Sequence, residues 1–361
     1  MTHLERFYGI LRYQPVDRAP WWPTGGWTQT MKRWHAEGFP EGVSLKDYFG
    51  AEETVGVDVY YGPWPMFPLE TVKEYDGKRL MRNHEGILME VYVNDTDRSM
   101  PHFIDFPVKN RDDYRRLLKP RLCGPVDDRL PQNWDTKVAR WKQRTDPLCL
   151  FADRWGGFFG PLRNMMGLEN LVYAFYDDPA LVEEMMDDIA DNVIRVTDRI
   201  LCDIDIDYFA FWEDMGMKTG PLLSPTFFDR YMVPRYRRVV DFLRSRGVEF
   251  IFVDSDGNVR DLIPLWLKAG VNGLWPCEIA SGMEPAPLKA EFGRDLLLFG
   301  GIDKRALIAG PEAIDAELEK VPDLVRNGGY VPMVDHGCPP DISWANYCYY
   351  MEALLRALER G

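Results

Sequence analysis

What this 361-residue chain lacks narrows its class first. Its six cysteines (Cys123, Cys149, Cys202, Cys277, Cys338, Cys348) form no Cys-x-x-Cys pair. Neither a structural zinc knuckle nor a disulfide framework is expected, and scattered reduced thiols fit a cytoplasmic setting. No uncharged apolar run reaches the ~18 residues that a spanning helix needs. The opening Met1-Thr2-His3-Leu4-Glu5-Arg6 lacks the charged-then-apolar layout of a secretory signal. Basic residues are outnumbered, 43 against 57 acidic, and the net charge of −14 argues against nucleic acid or an anionic membrane surface as main partner. No Gly-x-Gly-x-x-Gly follows an early strand, which disfavours a dinucleotide-binding open sheet.

What is present is a large apolar share, 46%, with 13% aromatic residues, enough to bury a sizeable core. One domain over residues 1–361 is expected. Residues 3–13 have helical apolar spacing, and a first strand is expected at Trp21-Trp22. Between residues 64 and 108, short alternating runs broken by Asp76-Gly77 and His84-Glu85-Gly86 predict a small antiparallel β subsection.

From about residue 147 a rhythm sets in. Apolar runs end in acidic or polar residues, and a helical pattern follows each. Residues 148–152 end at Asp153-Arg154; 208–211 at Glu213-Asp214; 250–253 at Asp254-Ser255-Asp256. Residues 271–275 end at Cys277-Glu278, and 296–299 at Gly300-Gly301-Ile302-Asp303. The last run ends at Asp335-His336-Gly337-Cys338, before a helical pattern from Ser343 to Leu358. Six such units plus the early strand predict an α/β fold, a (β/α)8 TIM barrel whose strand C-termini line the active site. A doubly wound open sheet has the same local rhythm.

These strand ends supply the candidate chemistry. Asp254 and Asp256, two apart, suit metal ligation or acid–base work, though Asp256-Gly257-Asn258 is also ordinary turn chemistry. His336 and Cys338 have a spacing compatible with one soft metal site. Glu278, Asp303 and Asp335 recur at the same place in successive units, although each is also explained as a cap or ion-pair partner. A cluster of carboxylates needs a metal or neighbouring cations, for which Arg154, Lys218 and Lys304 are placed. Asp153, Arg154, Glu213, Asp214 and Lys218 are the expected substrate contacts. Trp155, Trp212 and Trp275 can wall a pocket or fill the core.

The order of these motifs resembles the uroporphyrinogen decarboxylase-like superfamily. The opening Glu5-Arg6-Phe7…Pro15-Val16-Asp17-Arg18-Ala19-Pro20 is similar to that family's start. So are Glu213-Asp214-Met215-Gly216…Ser224-Pro225, Phe299-Gly300-Gly301-Ile302-Asp303 and His336-Gly337-Cys338-Pro339-Pro340-Asp341…Asn346. The resemblance implies a (β/α)8 barrel and two main chemistries. True uroporphyrinogen decarboxylases carry substrate-holding arginines after the first strand, where this chain reads Trp22-Pro23-Thr24-Gly25-Gly26-Trp27. A porphyrin precursor is therefore not the expected substrate.

The other branch resembles cobamide-dependent methyltransferases, which hold zinc through a His-x-Cys pair and a later Cys. Those positions correspond here to Asp254-Ser255-Asp256 and Cys338. The resemblance thus implies zinc or another divalent metal on Asp254, Asp256 and Cys338, with Glu278, Asp303, Asp335 and His336 as acid–base or orienting groups. It also implies a corrinoid on a separate partner protein, and a homodimer. The resulting expectation is a methyltransferase acting on a small substrate; the alternatives are a decarboxylase of a different acid and a non-catalytic ligand-binding barrel.

Overall fold

The computed structural model describes residues 1–93 and 101–361. Its strands, in chain order, are β1 (Val55–Gly56), β2 (Glu70–Tyr75), β3 (Lys78–Arg82), β4 (Leu88–Tyr92), β5 (His102–Asp105), β6 (Leu148–Phe151) and β7 (Tyr208–Trp212). They continue with β8 (Gly216–Met217), β9 (Gly220–Pro221), β10 (Phe250–Asp254), β11 (Gly273–Cys277), β12 (Leu297–Ile302) and β13 (Tyr330–Val334). Seven of them form a parallel sheet in the order β1-β6-β7-β10-β11-β12-β13.

The eighth place of the barrel is filled by residues 21–26, which run as an extended segment rather than a laddered strand. On the β13 side, Gly26 bridges Cys338 and the Cys338 amide donates to Gly25 O at 3.0 Å. On the β1 side, the Glu52 amide donates to Trp21 O at 3.0 Å. The expected strand at Trp21-Trp22 is thus correct in place but not in hydrogen bonding. The two-residue β1 escaped the sequence pattern because it is too short to show a period.

Inward side chains of alternate strands fill the barrel. Phe252 stacks on Phe299 with ring centres 4.1 Å apart, and Trp22 meets Phe299 edge-on at 5.3 Å. Tyr208 and Phe7 close the same cluster. Gly273 lies opposite Phe252 in the ladder, and a Cβ there would sit 2.3 Å from the Phe252 ring. The opening motif serves this architecture: Arg6 and Arg18 both pair with the buried Glu52, at 2.6 and 2.8 Å, latching the first helix (His3–Leu11) to the barrel.

Helices form where their signals stood. Ser224 caps the helical stretch beginning at Pro225, and Ser343 caps Trp344–Leu358 by accepting from the Asn346 amide at 3.1 Å. Pro179–Leu201 buries Leu181, Met185, Ile189 and Val193 along one face. The antiparallel sheet β2-β3-β4-β5 confirms the expected β subsection, of which residues 94–100 lie outside the described residues. Among the described residues, no helix is long and apolar enough to cross a membrane.

Candidate active site

Strand alternation sets what faces the barrel mouth. Phe252 points into the barrel, so Asp254, two residues on, points into its mouth. Asp254 stands in register with Trp212 on one side and Trp275 on the other. Burial pushes its carboxyl well up, and the charges of Asp256 and Asp214 add to that effect while His336 opposes it. Ser255 is buried, donating its amide to Trp275 O at 2.8 Å and accepting the Met215 amide at 3.1 Å, which fixes the turn.

His336 Nε2 lies 3.3 Å from Asp256 Oδ2. The Asp256 hydrogen bond raises the imidazole pKa despite partial burial. Beside this pair, three loops are stitched together by Glu278, which accepts from the Gly257 amide at 3.1 Å, the Ser281 hydroxyl at 3.0 Å and Lys304 Nζ at 3.3 Å. Asp335 is fully buried and accepts the Ile279 and Lys304 amides at 3.0 and 3.1 Å. Burial raises its pKa against the opposing effect of Lys304 and those two amides. Asp335 therefore staples loops rather than facing substrate.

A cavity of about 630 Å³ opens next to Asp214, and Asp214 is one of the charges that Asp254 feels. Its barrel wall holds Arg154, Arg163, Asn164 and Trp212; Met89 and Phe103 of the small sheet and Ile87 of the β3–β4 connection face them. Arg163 pairs with Asp214 at 2.6 Å. The Arg154 guanidinium lies 5.5 Å from the Trp212 ring centre and donates to Asn164 Oδ1 at 3.1 Å. Among the described residues no carboxylate forms a salt bridge with Arg154, so the cavity offers one cation without a counter-ion. That volume lies within the range that encloses small-molecule ligands.

Several expectations need correction. Glu213 does not contact substrate: one step past the inward Trp212 it turns to the outside of the sheet and is completely buried. There it accepts the Phe158, Phe159 and Gly160 amides at 2.7, 2.7 and 3.0 Å and the Tyr236 hydroxyl, capping the helix Phe159–Met166. Asp303 caps Lys304–Ala309 and pairs bidentately with the exposed Arg305; burial opposes these bonds, yet they hold its pKa low. Gly300 and Gly301, at φ 100° and 76°, break the alternation that would have aimed Asp303 inward. Lys218 projects into solvent from the β8–β9 turn, away from the cavity lining. Asp153 adopts φ 54° and accepts the Arg154 amide at the turn that presents Arg154.

Asp254, Asp256 and Cys338 are not gathered as a ligand set. The buried Cys338 thiol faces Thr24 O at 3.7 Å, and burial pushes its pKa far up, with the Asp335 charge adding to it. Among the described residues no three His, Cys, Asp or Glu side chains converge as a metal site. Zinc–thiolate chemistry needs a deprotonated, accessible sulfur, and this donor set does not fit it. Arg163 and the small-sheet wall went unread in the sequence; a lone arginine in the apolar run Phe158–Met166 was the available signal.

The family model described as uroporphyrinogen decarboxylase (URO-D) matches residues 2–356. Among curated proteins, the uroporphyrinogen decarboxylase of Azotobacter vinelandii is 27% identical over 195 residues, 50% of this chain and 49% of that protein. That of Maricaulis maris is 23% identical over 124 residues, 34% of this chain and 35% of that protein. These matched stretches span half or less of the relatives' length. A solved methyltransferase from Methanosarcina mazei superposes with a TM-score of 0.66 at 17% identity, covering 99% of both chains, and shares the fold. With its family model matched almost end to end on this barrel, the chain belongs to the uroporphyrinogen decarboxylase family.

Proposed function

We propose that this protein is an enzyme that moves a methyl group between a small anionic substrate and a corrinoid carried by a separate protein. One observation carries the reading. Asp254, whose carboxyl is pushed towards its acid form by burial and by the charges of Asp256 and Asp214, is coupled through Asp214 to a small-molecule cavity that holds an arginine without a carboxylate partner. The full-length likeness in fold to a methyltransferase supports the choice of reaction class.

In this scheme Arg154 binds the substrate's anionic group, in keeping with guanidinium recognition of oxyanions. Trp212 and the apolar small-sheet wall exclude water from the remainder. Asp254 donates its proton to the heteroatom that the methyl group leaves, so the leaving group departs neutral. The His336–Asp256 pair holds the mouth's charge balance. The corrinoid, when docked, supplies the methyl acceptor.

Decarboxylation of a small acid is the second reading, favoured by the family match and by the same pairing of a cation with a protonated carboxyl. There Asp254 protonates the carbon that loses carbon dioxide. Substrates bearing 13C in the methyl group and 14C in the carboxyl separate the two. Label transfer to a corrinoid protein supports methyl transfer; release of labelled carbon dioxide refutes it. Arg154→Gln should raise KM about 10–100-fold with kcat less affected, from the loss of one or two charge-assisted hydrogen bonds.

A further inference from the structure

The opposite pole of the barrel, where strands begin, carries a second charged site. Two cavities of about 330 and 500 Å³ lie side by side there and share Tyr13, Arg294 and Asn327 as a common wall. Lys289 lines the larger one. Its ammonium donates to the Tyr13 hydroxyl at 2.6 Å and to Leu296 O at 3.0 Å, both neutral acceptors. Lys289 Nζ and the Arg294 guanidinium lie 4.8 and 4.9 Å from the Tyr13 ring centre. Among the described residues neither cation has a carboxylate within ion-pair distance. Of the charges nearby, Lys320 pairs with Glu317 at 2.5 Å and Asp323 with Arg326 at 2.7 Å; Asp295 acts on Tyr13 from beyond ion-pair distance of either cation, and the C-terminal Gly361 lines the smaller cavity.

Two cations brought to one ring without a counter-ion repel each other, and half-burying one adds to the cost. Burial and the Arg294 charge together push the Lys289 pKa down to about 8. Tyr13, at φ 56°, is the left-handed residue that ends the helix His3–Leu11, with its amide on Ile10 O at 3.3 Å and the Gln14 amide on Gly9 O at 2.8 Å. Gly329, at φ 68°, passes so close that a Cβ would lie 2.3 Å from the Tyr13 hydroxyl and 2.8 Å from Lys289 Nζ. A purely structural lysine would gain more from a carboxylate partner than from this geometry.

We propose that this pole is a binding site for a small phosphate-type oxyanion, held between Lys289 and Arg294 beside Tyr13. The anion supplies the counter-charge that both cations lack. The planar guanidinium presents paired donors to it and the ammonium a point charge. This site is independent of the barrel mouth and of the proposed reaction.

The test is titration of the full chain with inorganic phosphate at pH 7 and constant ionic strength, followed by calorimetry and thermal melting. Saturable heat and a saturable rise in Tm are expected, and both should persist in Asp254→Asn. Arg294→Gln, on an exposed side chain that leaves folding intact, should weaken phosphate binding about tenfold or more, as expected for one charge-assisted bond. Lys289→Met should abolish it. Trinitrobenzenesulfonate at pH 8 should label Lys289 ahead of other lysines, and phosphate should protect it. A wild-type response no greater than that to chloride, or an unchanged response in Arg294→Gln, would overturn the proposal.

Discussion

Removing the Glu213 carboxylate should unfold the rim from within. Four donors converge on its two oxygens: the Phe158 amide and Tyr236 hydroxyl on Oε1, and the Phe159 and Gly160 amides on Oε2. All lie in the dry layer between β7 and the helix Phe159–Met166. A buried donor stripped of its acceptor costs about 1–3 kcal/mol. Glu213→Ala strands four, a loss of at least about 4 kcal/mol, partly offset because a buried charge is no longer desolvated. Against a total stability of about 5–15 kcal/mol that is a large share. Glu213→Gln is no rescue, since either amide orientation aims an NH2 at donors, and a loss of about 2–3 kcal/mol is expected. Tyr236→Phe removes one bond to a carboxylate and should cost about 1–2 kcal/mol. Urea unfolding midpoints by far-UV circular dichroism, with unchanged slopes, measure all three. A Glu213→Ala loss below about 1 kcal/mol would refute the capping role and reopen substrate contact.

Three more outcomes follow from the site. Because burial and two carboxylates raise the Asp254 pKa, its acid form should persist above the ordinary carboxylate range; activity should decline as pH rises through the raised value, and Asp254→Asn should lower kcat while substrate affinity, by calorimetry, stays within about threefold. Asp256 raises the His336 pKa, so the pair's stabilisation is present below the unfolded histidine value and is lost as pH rises through the folded one. Asp256→Asn should move the His336 NMR titration downward, and an unmoved curve would contradict the pairing; the pair being about a third exposed, stability should change by under about 1 kcal/mol. Gly257, at φ 80°, has backbone atoms of Gly216 2.4 Å from where a Cβ would stand. Gly257→Ala should cost about 2 kcal/mol or more in Tm-derived stability and shift Asp256, whereas Gly25→Ala, with open space around it, should be neutral.

The placement of Asp254, Asp256 and His336 at the barrel mouth was legible because its signal is local: an apolar run that stops at a carboxylate. Arg154 and Asp214 were legible for the same reason, and both line the cavity. Glu213 misled because it is adjacent to Asp214, and which of two neighbours faces the mouth depends on the parity of β7. The mouth-facing role of Asp303 was lost to two glycines of positive φ, whose effect on direction has no one-dimensional trace. Cys338 carried the family position of a metal ligand, yet its thiol turns to Thr24 O, a residue 314 positions away.

Local sequence determined the longer elements and their order, though not the two-residue β1: periodic apolar runs, caps at Ser224 and Ser343, and Gly or Pro stops arise from interactions within a few residues of each other. Only the tertiary structure decided how the barrel closes, with residues 21–26 bridging β13 and β1. It also decided that the small sheet walls the cavity and that Lys289 and Arg294 meet at Tyr13. Those outcomes depend on strand parity, backbone handedness at a few glycines and contacts between distant segments. Such quantities are fixed by packing the whole chain into one volume, and no short stretch of sequence contains them.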